Sequence, residues 1–304
     1  MTEMDSSAVD LKDLSIVIVG LNARDFVVGC VESIENAKWN DKSYEVVYSD
    51  NGSVDGTVDA LRRDFPWVKI IENGSNIGFC KAANIGARAS NSRYYYFIND
   101  DTLVIDDALS LLVDYMDSHS DVGTAGSRLL YPDMSEQYSG RRFPTLLSSF
   151  MGRRSPLTKA FPNAPWVRRY LCIDELERGE PADVDWVSAA GQIVSPKAFW
   201  EVGGFDESYY YWHEAVICSR LIKSGYRVVL HPSSKIIHFE GKGSGSRRSY
   251  KVKKFHIVDF HRGAYRAYRD HHELNAFHPG SILVRLLLGT RALGMLLIAR
   301  LSSR

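Results

Sequence analysis

The chain has 304 residues, 45% of them hydrophobic, and its 37 Lys+Arg are balanced by 37 Asp+Glu. That length suits one large α/β domain or one domain with an appendage, and the absence of net charge gives no global field for nucleic acid. The four cysteines (Cys30, Cys80, Cys172 and Cys218) show no CxxC spacing, which excludes a disulfide framework as the organising principle and fits reduced thiols in a cytoplasmic protein.

Residues 1–13 are polar and acidic with no apolar stretch, so they read as a flexible N-terminus rather than a secretory signal. Strand and helix signals then alternate. A β-branched run at 14–20 (LSIVIVG) precedes a helical pattern at 25–34, and 44–48 (YEVVY) is a second strand ending at Ser49 and Asp50. A helix at 57–64, a short strand at 68–71 and a helix at 81–89 lead to residues 94–102 (YYYFINDDT). There a continuous apolar run without polar alternation stops on Asn99, Asp100 and Asp101, as expected of a strand covered on both faces. This spacing predicts an α/β fold with a doubly wound, mainly parallel sheet.

A helix at 106–118 and an extended segment at 122–130 follow. Residues 131–180 are irregular, with Pro132, Pro144, Pro156, Pro162 and Pro165 among Arg-rich turns, the pattern of a substrate-specific insert. Regularity returns at 184–194, in a helix at 196–202, and, after Gly203 and Gly204, in an aromatic cluster, a helix at 214–224 and a strand at 227–230. The main domain is read as 14–248 and the remainder, 249–304, as a helical extension. Its last stretch, 281–301, is apolar apart from Arg285, Arg291 and Arg300. Arginines at mid-helix disfavour a spanning segment, each costing roughly 2.5–3.5 kcal/mol. Two readings remain: an amphipathic helix in the membrane interface with its arginines reaching headgroups, or a helix packed on its own domain or a partner. Basic Arg247, Arg248, Lys251, Lys253 and Lys254 precede it and favour an anionic bilayer.

Candidate chemistry collects where strands end, the place where open α/β sheets bind ligands. Asn22 follows strand one, Asp50, Asn51, Gly52 and Ser53 follow strand two, and Asp100 and Asp101 follow the later strand. Adjacent carboxylates suit a hard divalent cation that shares oxygen ligands with a substrate phosphate; a solvated turn or helix cap is the plainer alternative. Asp50 suits a base or ribose, and its segment also reads as a simple turn. Neither GxGxxG nor GxxxxGK[ST] is present, which excludes the glycine cradles of hydride-transfer and P-loop proteins.

Taken together, SIVIVGLN (15–22), SDNGSVDGT (49–57), NIGFCKAANIG (76–86), YYYFINDDT (94–102), DWVSAAGQIVSPKAFWEVGGFDE (185–207), YYWHEAVICSRL (210–221) and HFEGKGS (238–244) resemble the inverting family 2 glycosyltransferases of GT-A fold, closest to a rhamnosyltransferase-like branch. The resemblance implies a Rossmann-like, nucleotide-binding first half and a nucleoside diphosphate sugar donor, dTDP- or UDP-linked, held by Asn22, Asp50, Asn51, Gly78, Lys81 and Asp100. It implies Mg2+ or Mn2+ on Asp101 and His238, where a buried structural histidine is the alternative. Glu214 is implied as the catalytic base, with Trp186, Ser188, Gly191, Trp212 and His213 on the acceptor side.

Where the family presents Glu-Asp, this chain reads His213-Glu214-Ala215. Counting back from Cys218 and Arg220 puts Glu214 on the base, whereas counting forward from Phe205 puts Ala215 there. The first register keeps the helix in phase and retains a carboxylate. The expected acceptor is a cell-surface polysaccharide or polyprenyl-linked glycan, with peripheral placement on the inner face of the cell membrane and no nucleic acid. A sugar nucleotidyltransferase is the enzymatic alternative, but 21–26 (LNARDF) lacks the glycine- and Arg-rich loop it needs. An idle nucleotide-sugar or glycan-binding protein is the other.

Overall fold

The computed structural model describes residues 11–143, 145, 156–240 and 250–301. Arg247, Arg248 and the glycine-rich 241–244 lie outside the described residues. In chain order the first half contains β1 (Lys12–Gly20), α1 (Arg24–Glu35), β2 (Tyr44–Asp50), α2 (Thr57–Asp64), β3 (Lys69–Glu72), α3 (Phe79–Ala89) and β4 (Ser92–Asn99). β5 (Thr102–Val104), α4 (Ala108–Ser118) and β6 (Val122–Leu130) follow. The irregular segment contributes β7 (Gly140–Arg141), α5 (Pro156–Ala160), α6 (Pro165–Tyr170) and α7 (Ile173–Arg178), and β8 (Ala182–Asp183) follows it. Then come β9 (Trp186–Val187), β10 (Gly191–Val194), α8 (Pro196–Glu201), α9 (His213–Lys223), β11 (Arg227–His238), α10 (Tyr250–His272) and α11 (Pro279–Leu301).

The main sheet runs β3-β2-β1-β4-β10-β6-β11-β5. β3, β2, β1 and β4 are parallel, whereas β10 enters antiparallel to both β4 and β6. Both faces are covered, which explains the unbroken apolar strands. Ile16 and Ile18 join one core with Val27, Val31 and Leu112. Val17 and Phe97 join the other with Phe199, Phe205 and Leu221.

Three boundaries differ from the sequence reading. β1 starts at Lys12, because Lys12 N–H donates to the Asn91 carbonyl (3.1 Å) and Asp13 N–H to that of Ser43 (3.0 Å), so 12–13 are strand rather than a flexible end. The expected extended run 184–194 is broken into β9 and β10 by a turn in which Gly191 N–H donates to the Ser188 carbonyl (3.3 Å). The helix expected from 106 begins at Ala108, with Asp106 in left-handed backbone at φ 51°.

The C-terminal helices pack on the domain. Trp212 Nε1 donates to the Phe260 carbonyl of α10 (3.1 Å), and Tyr209 Oη donates to Asp270 (2.7 Å). A Cβ at Gly263 would lie 3.2 Å from both Trp212 Cδ1 and the Tyr211 carbonyl, so the absent side chain lets α10 seat this closely. α11 buries Val284 and Leu288 against Ala264 and Tyr268 of α10. By length and composition α11 could cross a membrane, with a mean hydropathy of 1.9.

Candidate active site

β1 is the first strand laid down and ends up between β2 and β4, so the strand order reverses beside it. Such a switch point opens a crevice at the carboxyl ends of the strands. Val19 pairs with Asn99 in register, which brings the tips of β1 and β4 side by side. A cleft of about 980 Å³ opens there and is lined by Gly20, Leu21, Asn51, Asn76, Gly78, Phe79, Asn99 and Asp100.

The polar groups after β2 mostly shape the loop. Asp50 accepts from Gly52 N–H and Ser53 N–H (2.9 Å each) and from Ser53 Oγ (2.5 Å). Asn22 clasps the same loop, accepting from Val54 N–H (2.8 Å) and donating its own N–H to Ser53 Oγ (2.9 Å). Neither lines the cleft, and nor does Lys81, which is exposed on the first turn of α3. Gly78 does, at φ 87°, a left-handed conformation natural to glycine.

The acidic tip is assembled by strand pairing. β5 pairs antiparallel with β11 so that Thr102 faces His238, and Phe239 N–H donates to the Asp101 carbonyl at 2.9 Å. His238 Nε2 therefore lies 3.2 Å from Asp101 Oδ1 and 3.3 Å from Asn99 Nδ2. Gln137 decides the ring's orientation. Its amide nitrogen donates to the carbonyls of Leu130 and His238, so its oxygen is the acceptor for His238 Nδ1 at 3.0 Å. In that tautomer a neutral ring carries its lone pair on Nε2, beside the Asp101 carboxylate. One carboxylate oxygen and one imidazole lone pair, fixed by an amide behind them, form a donor set that fits a divalent cation completed by substrate oxygens. Asp100 lines the cleft next door. Burial first, and then the charge of Asp101, push its carboxyl up to about 7, a perturbation that a cation would relieve.

The opposite wall is helical. Trp212 precedes α9 in left-handed backbone, φ 72°, a conformation that costs a non-glycine residue on the order of 1–3 kcal/mol. It turns the chain so that Tyr211, Trp212, His213 and Glu214 all line the cleft. Ala215, the other register, is buried in the core. Glu214 occupies the first turn of α9, where the helix N-terminus favours negative charge. His213 Nδ1 lies 3.5 Å from Glu214 Oε2. Burial pulls the His213 imidazole down, but the Glu214 charge, then Cys80 and the Tyr210 carbonyl, outweigh it and push it up to about 9.

Ser188 lines the cleft. Trp186 and Gly191 stand behind the wall. Trp186 is buried with its Nε1 donating to the Arg142 carbonyl (3.2 Å), and a Cβ on Gly191 would meet Tyr96 Oη at 3.0 Å. The aromatic cluster divides between the two roles left open by the sequence, with Tyr209 buried and Tyr210 43% exposed at the cleft.

Several lining residues escaped the sequence reading: Gln137, Arg141, Tyr170, Phe260, Arg291 and Met295. Gln137 and Tyr170 sit in the segment without periodicity, where no pattern marks them. Of the two readings the sequence leaves for the C-terminal helix, Arg291 follows the packed one: it lines the cleft, and its position falls on the stripe of α11 that packs on α10.

Comparison with known proteins bears on the family and the fold. Residues 15–170 match the family model described as glycosyl transferase family 2. An N-acetylglucosaminyl-diphospho-decaprenol L-rhamnosyltransferase of Mycobacterium tuberculosis is 29% identical over 247 residues, covering 75% of this chain and 78% of that one. Rhamnosyltransferase WbbL of Escherichia coli is 25% identical over 252 residues, or 79% and 87% of the two chains. Among solved structures, mannosyltransferase PcManGT of Pyrobaculum calidifontis, in complex with GDP-Man and Mn2+, superposes with a TM-score of 0.60 at 15% identity over 97% of this chain and 76% of its own. GalNAc-T7 with UDP, GalNAc and Mn2+ gives 0.62 at 16% identity, over 86% of this chain and 48% of its own.

Proposed function

Because this chain belongs to glycosyl transferase family 2 and is a glycosyltransferase of GT-A fold, we propose that it moves a deoxyhexose such as rhamnose, with inversion, from a dTDP- or UDP-linked donor to a hydroxyl of a polyprenyl-diphosphate-linked glycan. The observation that carries this reading is the opening of Glu214 into the same cleft as Asp100 and His238. A base and a donor-diphosphate site facing one space are what transfer to an external hydroxyl needs. A sugar nucleotidyltransferase needs no base at α9.

In this mechanism the nucleotide lies over the tips of β1, β2 and β4. Asn51 and Gly78 meet it directly, while Asn22 and Asp50 act by holding the loop. Asp101 and His238 would hold a divalent cation, which when bound would offset the charge that grows on the leaving diphosphate. A ring nitrogen among the ligands weighs against magnesium, which demands near-ideal oxygen coordination, so Mn2+ is the expected ion. Glu214 takes the proton from the acceptor hydroxyl as the new bond forms on the face opposite the diphosphate. A single displacement by the hydroxyl itself, with Glu214 acting as base and forming no bond to the sugar, gives inversion. Trp212 and Ser188 flank the acceptor sugar.

The membrane is part of the proposal. Leu286, Leu293, Leu297 and Leu301 of α11 are 62–73% exposed, and Phe255 and Val258 of α10 add exposed apolar surface beside exposed Lys251 and Lys254. An apolar face flanked by cations suits the interface of an anionic bilayer. With Val284 and Leu288 committed to α10, α11 lies in the inner leaflet's surface rather than across it. The test is a transfer assay with Mn2+, a panel of dTDP- and UDP-sugars, and farnesyl-diphosphate-linked N-acetylglucosamine as acceptor. Release of nucleoside diphosphate coupled to glycan extension is expected; donor turnover with no extension of any lipid-linked acceptor would overturn the acceptor assignment.

A further inference from the structure

α11 places its charge on an unexpected side. Val284, Leu288, Arg291, Met295 and Ala299 recur at three- and four-residue spacing and so share one face. Val284, Leu288 and Ala299 are buried, and Arg291 and Met295 line the cleft. The opposite face, with Leu286, Leu293 and Leu297, is exposed hydrocarbon. A guanidinium thus occupies the packed side of a helix whose outer side is apolar, the reverse of a snorkelling arginine. Arg291 lies within electrostatic range of Tyr170 on α6 and His261 on α10.

Arg141 lines the same cleft. Its neighbour Arg142 is neutralised by Glu175 (2.7 Å) and Asp185 (3.2 Å). Arg141 instead rests over the Trp186 ring, 4.5 Å from its centroid, and donates Nε to the Tyr138 carbonyl at 3.1 Å. Among the described residues no carboxylate pairs with it. Both arginines adjoin the helical wall: Arg141 through Trp186, whose ring centroid lies 6.0 Å from that of Trp212, and Arg291 through α11, which packs on α10.

We propose that Arg141 and Arg291 form an acceptor-side diphosphate subsite, which grips the phosphates of a polyprenyl-diphosphate-linked sugar while the prenyl chain leaves past Met295 onto the outer face of α11. Guanidinium groups match phosphate oxygens in paired hydrogen bonds, and one helix then offers charge to the headgroup and hydrocarbon to the chain. The subsite rests on the glycosyl-transfer reading above and adds the residues that hold the acceptor's diphosphate. The donor also carries a diphosphate, so the experiment must tell the two apart.

Steady-state kinetics are measured for wild type, Arg291→Gln and Arg141→Gln with two acceptors: farnesyl-diphosphate-linked N-acetylglucosamine and octyl N-acetylglucosaminide, which lacks phosphate. The expected result is a KM for the diphosphate acceptor raised roughly 10- to 100-fold, so that discrimination between the two acceptors collapses while the KM for donor stays within twofold. Arg291→Lys recovers part of the loss. A raised donor KM with acceptor discrimination intact would assign the arginines to the donor and overturn the proposal. Should wild type extend neither acceptor, the transfer reading fails by itself, and binding of farnesyl diphosphate, followed by tryptophan fluorescence, decides the subsite separately. Quenching in wild type that weakens at least tenfold in Arg291→Gln supports it; equal quenching in both overturns it.

Discussion

The two walls of the cleft are built by opposite means. The strand-tip wall is made of backbone pairings: β1 beside β4 sets Asn99 and Asp100 next to Gly20 and Leu21, and β5 beside β11 delivers His238 to Asp101. The helical wall is made of side-chain packing, with Trp212 anchored on Phe260 and α11 seated on Ala264 and Tyr268. Ladder hydrogen bonds fix position residue by residue, whereas apolar packing fixes it through shape. On the proposed reading the first wall takes the donor's phosphates and the second the acceptor.

The sharpest way to break this comparison is to remove the group that works between the walls. Glu214→Gln keeps size and shape but cannot accept the acceptor's proton, and kcat should fall about 10²–10⁴-fold with the KM values little changed. Steady-state transfer rates check this. Activity within a few-fold of wild type would move the base elsewhere in the cleft.

His213 comes next. Its ordinary value near 6.5 is the unfolded reference, and in the folded chain the Glu214 charge and its hydrogen-bond partners outweigh burial to bring it to about 9. For a raised histidine the stabilisation is complete below pH 6.5 and is lost as pH rises through about 9. Melting temperatures should decline between those limits in wild type. His213→Phe, which fits between Phe79 and Phe205 (ring centroids at 4.8 and 5.5 Å from the imidazole), should flatten that decline. An identical pH profile in the variant would exclude the histidine as its source.

A third measurement sharpens the strand-tip wall alone. Gln137→Met removes the amide that orients His238 without touching either proposed ligand. Loss of such an outer partner typically weakens a metal site 10–100-fold, so Mn2+ titrated against the protein and followed by electron paramagnetic resonance should bind that much more weakly. Unchanged affinity would mean that His238 needs no orienting partner.

The contrast between the walls is also the contrast in what the sequence revealed. Strand tips are local words: a covered strand ending in Asn99-Asp100-Asp101 announces itself within nine residues, and so does Glu214 opening a helix. Even there the roles divided, since Asp50 spends its carboxylate on the turn Gly52–Ser53, a use that its turn-forming neighbours already allowed. Gln137 was invisible because it meets His238 across 101 positions from a segment with no periodicity. Arg291 was visible, but the side it faces was not. Hydropathy gives the composition of α11 and not which face α10 covers, and that choice depends on Ala264 and Tyr268, which receive Val284 and Leu288.

The smallest expected effect tests the outer surface of the helical wall. Lys254 is exposed on α10 beside Phe255, which is 51% exposed. A single lysine near an anionic bilayer contributes about 1 kcal/mol, an effect that fades beyond a Debye length and with added salt. Lys254→Gln should therefore weaken partition into vesicles containing phosphatidylglycerol about fivefold at low salt and much less at 0.5 M salt. Binding to neutral phosphatidylcholine vesicles should not change, because there only the leucine face of α11 is engaged. Equal loss on both kinds of vesicle would mean that the substitution disturbs how α10 and α11 pack, and the charge at position 254 would then have no part in reading the membrane.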